Sequence, residues 1–162
     1  MTNAYHLLLL FITLLALYTR FAGLTRGQSD FIPPEKALDQ SYTSYFHHFH
    51  PDEETLIRAA LELQNPLAPP LTAYGMLPLY LWRGALALFS PFADVPLNTL
   101  DTPESSAEIY LAIRLLSAFF SLAAIALTWH LGNRLYGPWV GALAALFLTA
   151  STAAVQSAHF AT

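Results

Sequence analysis

Cysteine is absent from this chain of 162 residues, which excludes disulfide bonds and thiolate metal sites. Charged residues are scarce at 11% of the chain, whereas a soluble domain typically has about 25%. Eleven Asp and Glu outnumber seven Lys and Arg, for a formal net charge of −4. The basic residues form no cluster, so nucleic acid is not expected as a partner.

Two motifs of enzyme sites are missing as well. The chain has no Gly-x-Ser-x-Gly segment and no glycine-rich phosphate-binding loop. Nucleophilic catalysis by Ser or Cys therefore has no support, and neither does a phosphate-binding loop. What the chain has instead is apolar sequence, with 55% hydrophobic residues gathered in long runs. This composition predicts an all-α integral membrane protein rather than a soluble helical domain.

Three apolar runs predict membrane-spanning helices at about 4–22, 107–131 and 138–156. The first run carries no charge before Arg20, and at about 1.5 Å per residue it reaches roughly 28 Å, enough to cross the hydrocarbon layer. No Lys or Arg precedes this run. We therefore expect a retained anchor rather than a cleavable signal peptide, which has a basic start.

The second and third runs predict an antiparallel hairpin. Gly132 and Pro138 bound the short link between them, and both residue types interrupt helices. Arg134 lies in the link and favours a cytoplasmic position for it, since basic residues concentrate in cytoplasmic loops. The long loop before the hairpin would then be extracytoplasmic. Arg20 and Arg26 favour the opposite orientation, but long side chains at a helix end reach lipid phosphates on either face.

The loop at 23–106 is too long to be structureless, so it is expected to contain short helices at the membrane surface. One is predicted at about 53–64, where an apolar face follows three acidic residues. Another is predicted at about 74–90. Pro78 and Arg83 interrupt the apolar pattern there, and an arginine at the bilayer centre costs at least about 2.5 kcal/mol. We therefore expect this helix to lie on the membrane rather than to span it.

The tetrapeptide His50-Pro51-Asp52-Glu53 is the main candidate for chemistry. A carboxylate held beside the bilayer is partly desolvated and therefore a better proton acceptor, which suits a general base. The alternative is that Asp52 is only a helix cap, with Glu53 and Glu54 interacting with the helix dipole. The two roles are compatible, because a cap fixes the position of its carboxylate.

A divalent metal site is a further alternative for this region. His47, His48 and His50 lie close in sequence to Asp52, Glu53 and Glu54, and imidazole with carboxylate suits zinc or manganese. The spacing matches no established metal-binding signature, and adjacent histidines are common in loops. We therefore expect no metal cofactor, with metal-dependent hydrolysis as the weaker hypothesis.

Six segments together resemble the start of the polytopic GT-C glycosyltransferases, in the branch of glycosyltransferase family 39 and the protein O-mannosyltransferases. The segments cover nearly the whole chain in the order of that family, and they are 20–24 (Arg-Phe-Ala-Gly-Leu), 50–53 (His-Pro-Asp-Glu), 74–80 (Tyr-Gly-Met-Leu-Pro-Leu-Tyr), 114–117 (Arg-Leu-Leu-Ser), 131–135 (Leu-Gly-Asn-Arg-Leu) and 156–162 (Gln-Ser-Ala-His-Phe-Ala-Thr). Each motif is weak alone, and their order gives the resemblance its specificity.

The resemblance implies a multi-pass enzyme of the plasma membrane that transfers a sugar with inversion from a polyprenyl-phosphate donor. The acceptor would be a hydroxyl group of a protein, a lipid or a glycan. By motif position, Asp52 would be the catalytic base and Glu53 would assist it. The segment at 74–90 would be a juxtamembrane element of the first extracytoplasmic loop.

Further residues are expected to bind substrate. Arg20 and Arg58 are candidates for stabilising the lipid phosphate that leaves, because guanidinium groups bind phosphate well. The remaining candidates from the motif positions are His50, Tyr74 and His159. Many relatives have Arg where His159 stands, so this chain departs from the family at that position.

The resemblance also implies that the chain is the N-terminal fragment of a longer enzyme. A second catalytic acid is expected beyond residue 162, and the fragment alone is expected to be inactive. The rival hypothesis is a non-catalytic membrane protein, such as a transporter segment or an assembly subunit, in which Asp52 has only a structural role.

Overall fold

A computed structural model describes residues 3–26, 51–65, 70–71, 75–100 and 102–159, and this part of the chain is helical without a β-strand. The helices are α1 (Asn3–Phe21), α2 (Pro51–Leu61), α3 (Leu77–Phe89), α4 (Pro103–Tyr136), α5 (Pro138–Ala150) and α6 (Thr152–His159), with a 3₁₀ turn at Ser90–Phe92 after α3. The prediction of an all-helical fold is confirmed.

Two of these helices, Asn3–Phe21 and Glu104–Tyr136, are long and apolar enough to cross a membrane. They correspond to the runs predicted at 4–22 and 107–131. The second helix starts earlier than predicted because the Thr102 hydroxyl accepts a hydrogen bond from the Ser105 amide at 3.2 Å. This contact satisfies one of the free amides of the first turn, and Pro103 suits the first helical position.

The region predicted as one helix at 138–156 is instead two helices. Helices α5 and α6 meet at Ser151, whose backbone is extended with φ −64° and ψ 119°, and their axes differ by 60°. Neither helix alone is long enough to cross a membrane, whereas the two together have the length and apolar character of one span. Sequence hydropathy does not register this break. The local signal is Ser151, a favoured helix cap, whose hydroxyl accepts a hydrogen bond from the Ala154 amide at 3.4 Å.

The described residues form two compact units, 3–24 with 117–159 and 25–116. The first unit consists of α1, the C-terminal part of α4, α5 and α6. Its core contains the buried side chains of Tyr5, Ile12, Ala16, Ile125, Ala142 and Ala145. The opposite face of α1 exposes large apolar side chains at Leu7, Leu10, Phe11, Leu14 and Leu17. A helix that is apolar on all sides is typical of a segment surrounded by lipid.

Helices α4 and α5 of the first unit pack with almost no space between their backbones. Gly137 links them with φ +99°, a conformation that favours glycine. A Cβ atom placed on Gly141 would lie 2.5 Å from the Asn133 amide nitrogen and 2.6 Å from the Trp129 carbonyl oxygen. Such close approach through glycine is typical of helices that associate in lipid.

The second unit consists of α2, α3 and the N-terminal part of α4. Its core joins side chains from all three helices, including Leu56, Ile57, Ala60, Leu79, Trp82, Leu86, Ile109, Tyr110 and Ile113. Helices α2 and α3 match the surface helices predicted at about 53–64 and 74–90 in order and approximate position. This unit contains Asp52 and Glu53, the predicted catalytic residues.

Candidate functional site

The first turn of α2 carries the acidic residues Asp52, Glu53 and Glu54. Pro51 is the first residue of this helix, so Asp52 lies within the first turn rather than before it as a cap. Three carboxylates at this end of the helix interact favourably with its dipole. The turn also directs the three side chains in different directions, since successive helical residues are rotated by about 100°.

Glu53 points into the protein and forms an ion pair with Arg114 of α4. Arg114 Nε donates to Glu53 Oε1 at 2.8 Å, and Arg114 Nη2 donates to Oε2 at 2.9 Å. The two side chains are 0% and 2% exposed. This is a bidentate pair with both carboxylate oxygens engaged. The geometry therefore gives Glu53 a structural partner, which differs from the expectation that it assists Asp52 as a base.

Arg114 has further contacts besides this pair. Its Nη1 donates to the carbonyl oxygen of Arg26 at 2.6 Å. Its guanidinium carbon lies 5.5 Å from the centre of the Tyr110 ring, within the range of a cation–π contact. Arg114 thus connects three parts of the second unit, namely α2, α4 and the turn that contains Arg26.

Sequence reasoning did not assign a role to Arg114, although two signals were available. It is a lone arginine near the start of an apolar run, and such a residue usually has a partner. Glu53 lies in register with the buried residues Leu56, Ile57 and Ala60, at the i, i+3, i+4 and i+7 spacing of one helix face. An acidic residue on an apolar face indicates a buried cationic partner.

Asp52 is half-buried, in contrast to the fully enclosed Glu53. Asp52 is therefore the residue of this adjacent pair that is partly exposed. A general base has to reach the proton that it accepts. Of the two predicted catalytic residues, Asp52 satisfies this condition better.

Arg58 forms an ion pair with Glu54 one turn earlier on α2. Arg58 Nε lies 2.7 Å and Nη2 lies 2.6 Å from Glu54 Oε1. The two side chains are 44% and 18% exposed, and an exposed pair of this spacing contributes only about 0.3–0.5 kcal/mol. Such a weak pair leaves the guanidinium of Arg58 able to exchange Glu54 for another anion.

Arg20 is completely buried in the first unit. Its Nε donates to Ser121 Oγ at 3.1 Å, and its Nη1 donates to Thr19 Oγ1 at 2.7 Å. The carbonyl oxygens of Thr149 and Leu148 accept from Nη1 at 2.6 Å and from Nη2 at 3.1 Å. The side chain thus holds α1, α4 and α5 together. These contacts differ from the expectation that Arg20 binds a lipid phosphate.

The Arg20 contacts also explain the break between α5 and α6. In a continuous helix the carbonyls of Leu148 and Thr149 would accept from the amides four residues later. Here both accept from the Arg20 guanidinium, and the Leu148 carbonyl also accepts from the Ser151 amide at 3.4 Å. A cation at the C-terminal end of a helix is electrostatically favourable. The arginine therefore stabilises the end of α5 at the point where the chain turns.

Replacing Arg20 with Met is expected to lower the free energy of unfolding of the first unit by about 2 kcal/mol, since buried acceptors lose their donor. Replacement with Lys should recover only part of this loss, because one ammonium group cannot reach all the oxygens that the planar guanidinium contacts. Thermal unfolding in detergent, followed by the fluorescence of Trp129 and Trp139, measures both changes. The exposed Arg134 supplies the control, and Arg134→Met should change stability by less than about 0.5 kcal/mol. An Arg20→Met protein as stable as the parent would contradict the role of this side chain.

His159 also has backbone partners in the first unit. Its Nδ1 lies 2.8 Å from the carbonyl oxygen of Val155, and its Nε2 lies 2.9 Å from the carbonyl oxygen of Ala22. Both ring nitrogens therefore face main-chain oxygens rather than a substrate. The expected role of His159 in binding substrate has no support from this geometry.

The remaining candidates lie outside the described residues. These are His50 and Tyr74 of the substrate-binding set and His47 and His48 of the metal hypothesis. Within the described ranges, no group of three or more His, Asp or Glu side chains is arranged to hold a metal ion. Asp52, Glu53 and Arg58 lie together on α2, whereas Arg20 and His159 belong to the other unit.

Comparison with known proteins gives no relative for this chain. No family model, no curated protein and no solved structure matches it. The functional assignment therefore depends on the motifs and on the geometry of the residues that carry them.

Proposed function

We propose that the chain belongs to a membrane glycosyltransferase of the GT-C type, which transfers a sugar from a polyprenyl-phosphate donor to a hydroxyl acceptor. The observation that supports this best is the setting of Asp52. It is a half-buried carboxylate in the first turn of α2, beside a buried ion pair, in a chain with two helices suited to a membrane. The order of the six motifs agrees with the same reaction.

In the proposed mechanism, Asp52 takes the proton of the acceptor hydroxyl as its oxygen attacks the anomeric carbon of the donor. The bond from that carbon to the lipid phosphate breaks, and its electron pair leaves with the phosphate. Attack from the face opposite to the leaving group inverts the anomeric centre. Arg58, on the same helix as Asp52, is the better remaining candidate for contact with the phosphate, since the guanidinium of Arg20 is already engaged.

Helix α3 supports a position of this unit at the membrane surface. One face of α3 packs Leu79, Trp82 and Leu86 into the core, while Leu77, Leu81 and Leu88 are exposed on the other. An outward apolar row on a helix that packs against the N-terminal part of α4 suits contact with lipid at the interface. This arrangement would bring Asp52 close to a donor whose sugar phosphate lies at the headgroup level. We accordingly propose a multi-pass protein of the plasma membrane.

A transfer assay tests this proposal most directly. Membranes that contain the protein in its natural length are incubated with polyprenyl-phosphate sugars, one donor at a time, and with protein, lipid and glycan acceptors. We expect one donor to label an acceptor with an inverted linkage, and membranes without the protein to give no signal. Absence of transfer with every donor would reject the glycosyltransferase.

A membrane transporter is the second candidate, and the bent pair α5–α6 favours it. Helices interrupted within the membrane build the substrate sites of many transporters. The same membranes, reconstituted in vesicles, discriminate the two functions, because a transporter moves solute without forming a glycosidic bond. Sugar transfer in the assay above favours the enzyme over this alternative.

A further inference from the structure

We propose that the buried Glu53–Arg114 pair is a positioning device, which fixes the first turn of α2 and thereby the direction of Asp52. The inference rests on the proposed function only in taking Asp52 as the base. Glu53 and Arg114 are positioning residues in this proposal, because they would act on the substrate through Asp52 alone.

The first argument is the position of Glu53 within α2. Among residues 52–55, only Glu53 is buried. Later turns are fastened by the apolar side chains of Leu56, Ile57 and Ala60, which are at most 2% exposed. Glu53 is therefore the buried side chain that attaches the first turn to the core. Asp52 is its neighbour in sequence, so a rotation of this turn would displace the Asp52 carboxylate directly.

The second argument is the directionality of the contact. Two parallel N–H···O bonds of 2.8 and 2.9 Å fix the plane of the carboxylate as well as its distance. The guanidinium is itself held by the Arg26 carbonyl at 2.6 Å. An apolar side chain at position 53 could fill the same space but would leave the rotation of the turn less defined.

The third argument is energetic. Burying two charges is expensive, and replacing a buried ion pair with apolar residues of similar size is often neutral or stabilising. Stability alone therefore does not explain a fully buried pair in an otherwise apolar core. A requirement for one defined orientation explains it, and the carboxylate next to the pair is the group that benefits.

The experiment uses the absence of cysteine from the 162 residues, after replacement of any cysteine elsewhere in the natural chain. Asp52→Cys provides a single reporter at the site, and its rate of labelling by a polar maleimide is measured in membranes. Breaking the pair with Glu53→Gln or with Arg114→Leu should raise this rate at least about fivefold, as expected for local opening of the turn. The control reporter Glu62→Cys, an exposed position just after α2, should keep its rate.

A double variant separates positioning from stability. Glu53→Leu with Arg114→Leu should retain the thermal stability of the parent but still show the raised labelling rate at position 52. If the double variant labels at the parental rate, the pair is merely structural and the inference is wrong. If the Arg114→Leu protein does not accumulate in the membrane, the labelling rate of Glu53→Gln, which is the mildest change, decides the outcome. An unchanged rate in Glu53→Gln would also overturn the inference.

Sugar transfer gives a second, independent readout in a protein that retains Asp52. Glu53→Asp shortens the anchor by one methylene, and a misplacement of about 1 Å can lower kcat on the order of 100-fold. KM for the donor should remain close to the parental value, since binding contacts are not removed. An unchanged kcat in a folded Glu53→Asp protein would argue against positioning. Because labelling requires no transfer, a raised rate without any transfer would reject the proposed function and leave the inference intact.

Discussion

Asp52→Asn is expected to lower the rate of sugar transfer by about 10²- to 10⁴-fold, the usual contribution of a general base. The amide has nearly the shape of the carboxylate but cannot accept the acceptor's proton. The helix should tolerate the change, because Glu53 and Glu54 remain in the first turn of α2. The measurement is the initial rate of transfer with the donor identified for the parent protein, normalised to the amount of protein in the membrane.

A matched control for this prediction is Glu62→Gln, the same acid-to-amide change at an exposed position of the same unit. It should transfer sugar at the parental rate. Near-normal turnover of Asp52→Asn would exclude Asp52 as the base, and its carboxylate would then serve only the helix dipole. Loss of activity in both variants would indicate a general effect of negative charge in this region instead.

The positions of the helices could be predicted from the sequence because the signals for them are local. Apolar runs predicted α1 and α4, and Pro138 after Gly137 marked the start of α5. The exact ends depended on single contacts, such as the Thr102 hydroxyl that extends α4. The break at Ser151 was not predicted. Its local signal is a single serine, whose hydroxyl caps α6 by accepting from the Ala154 amide, and the Arg20 contacts at the end of α5 come from more than 120 positions earlier in the chain.

The candidate site shows the same limit more sharply. The acidic turn at Asp52 and Glu53 could be found as a motif. The sequence did not show that Glu53 is buried in an ion pair while Asp52 is partly exposed. This difference between the two residues depends on Arg114, which is 61 positions from Glu53 in the sequence. Arg20 was predicted as a candidate ligand of the leaving lipid phosphate because guanidinium groups bind phosphate well. The structure instead surrounds its guanidinium with main-chain and hydroxyl oxygens.

Gly141→Ala is expected to destabilise the α4–α5 hairpin by at least about 3 kcal/mol, the upper end of the range for overpacking. The new Cβ would lie 2.5 Å from the Asn133 nitrogen and 2.6 Å from the Trp129 oxygen. Both are backbone atoms of α4, so neither can move away by a change of rotamer. The helices would have to separate along the contact. Thermal unfolding in detergent, followed by the fluorescence of Trp129 and Trp139, reports this change within the first unit.

Gly132→Ala should also destabilise the α4–α5 hairpin, since a Cβ atom on Gly132 would lie 2.8 Å from the Cα of Gly141. Gly84 is the matched control, because it is an exposed glycine inside α3 and a Cβ there would meet nothing within 4 Å. Gly84→Ala should therefore stabilise its helix by about 0.5–1 kcal/mol, the difference in helix propensity, and the fluorescence of Trp82 in the same helix reports this change. If Gly141→Ala behaves like Gly84→Ala, the helices do not approach through this glycine. A loss of stability in Gly141→Ala together with a gain in Gly84→Ala would show that the backbones of α4 and α5 are in direct contact at Gly141.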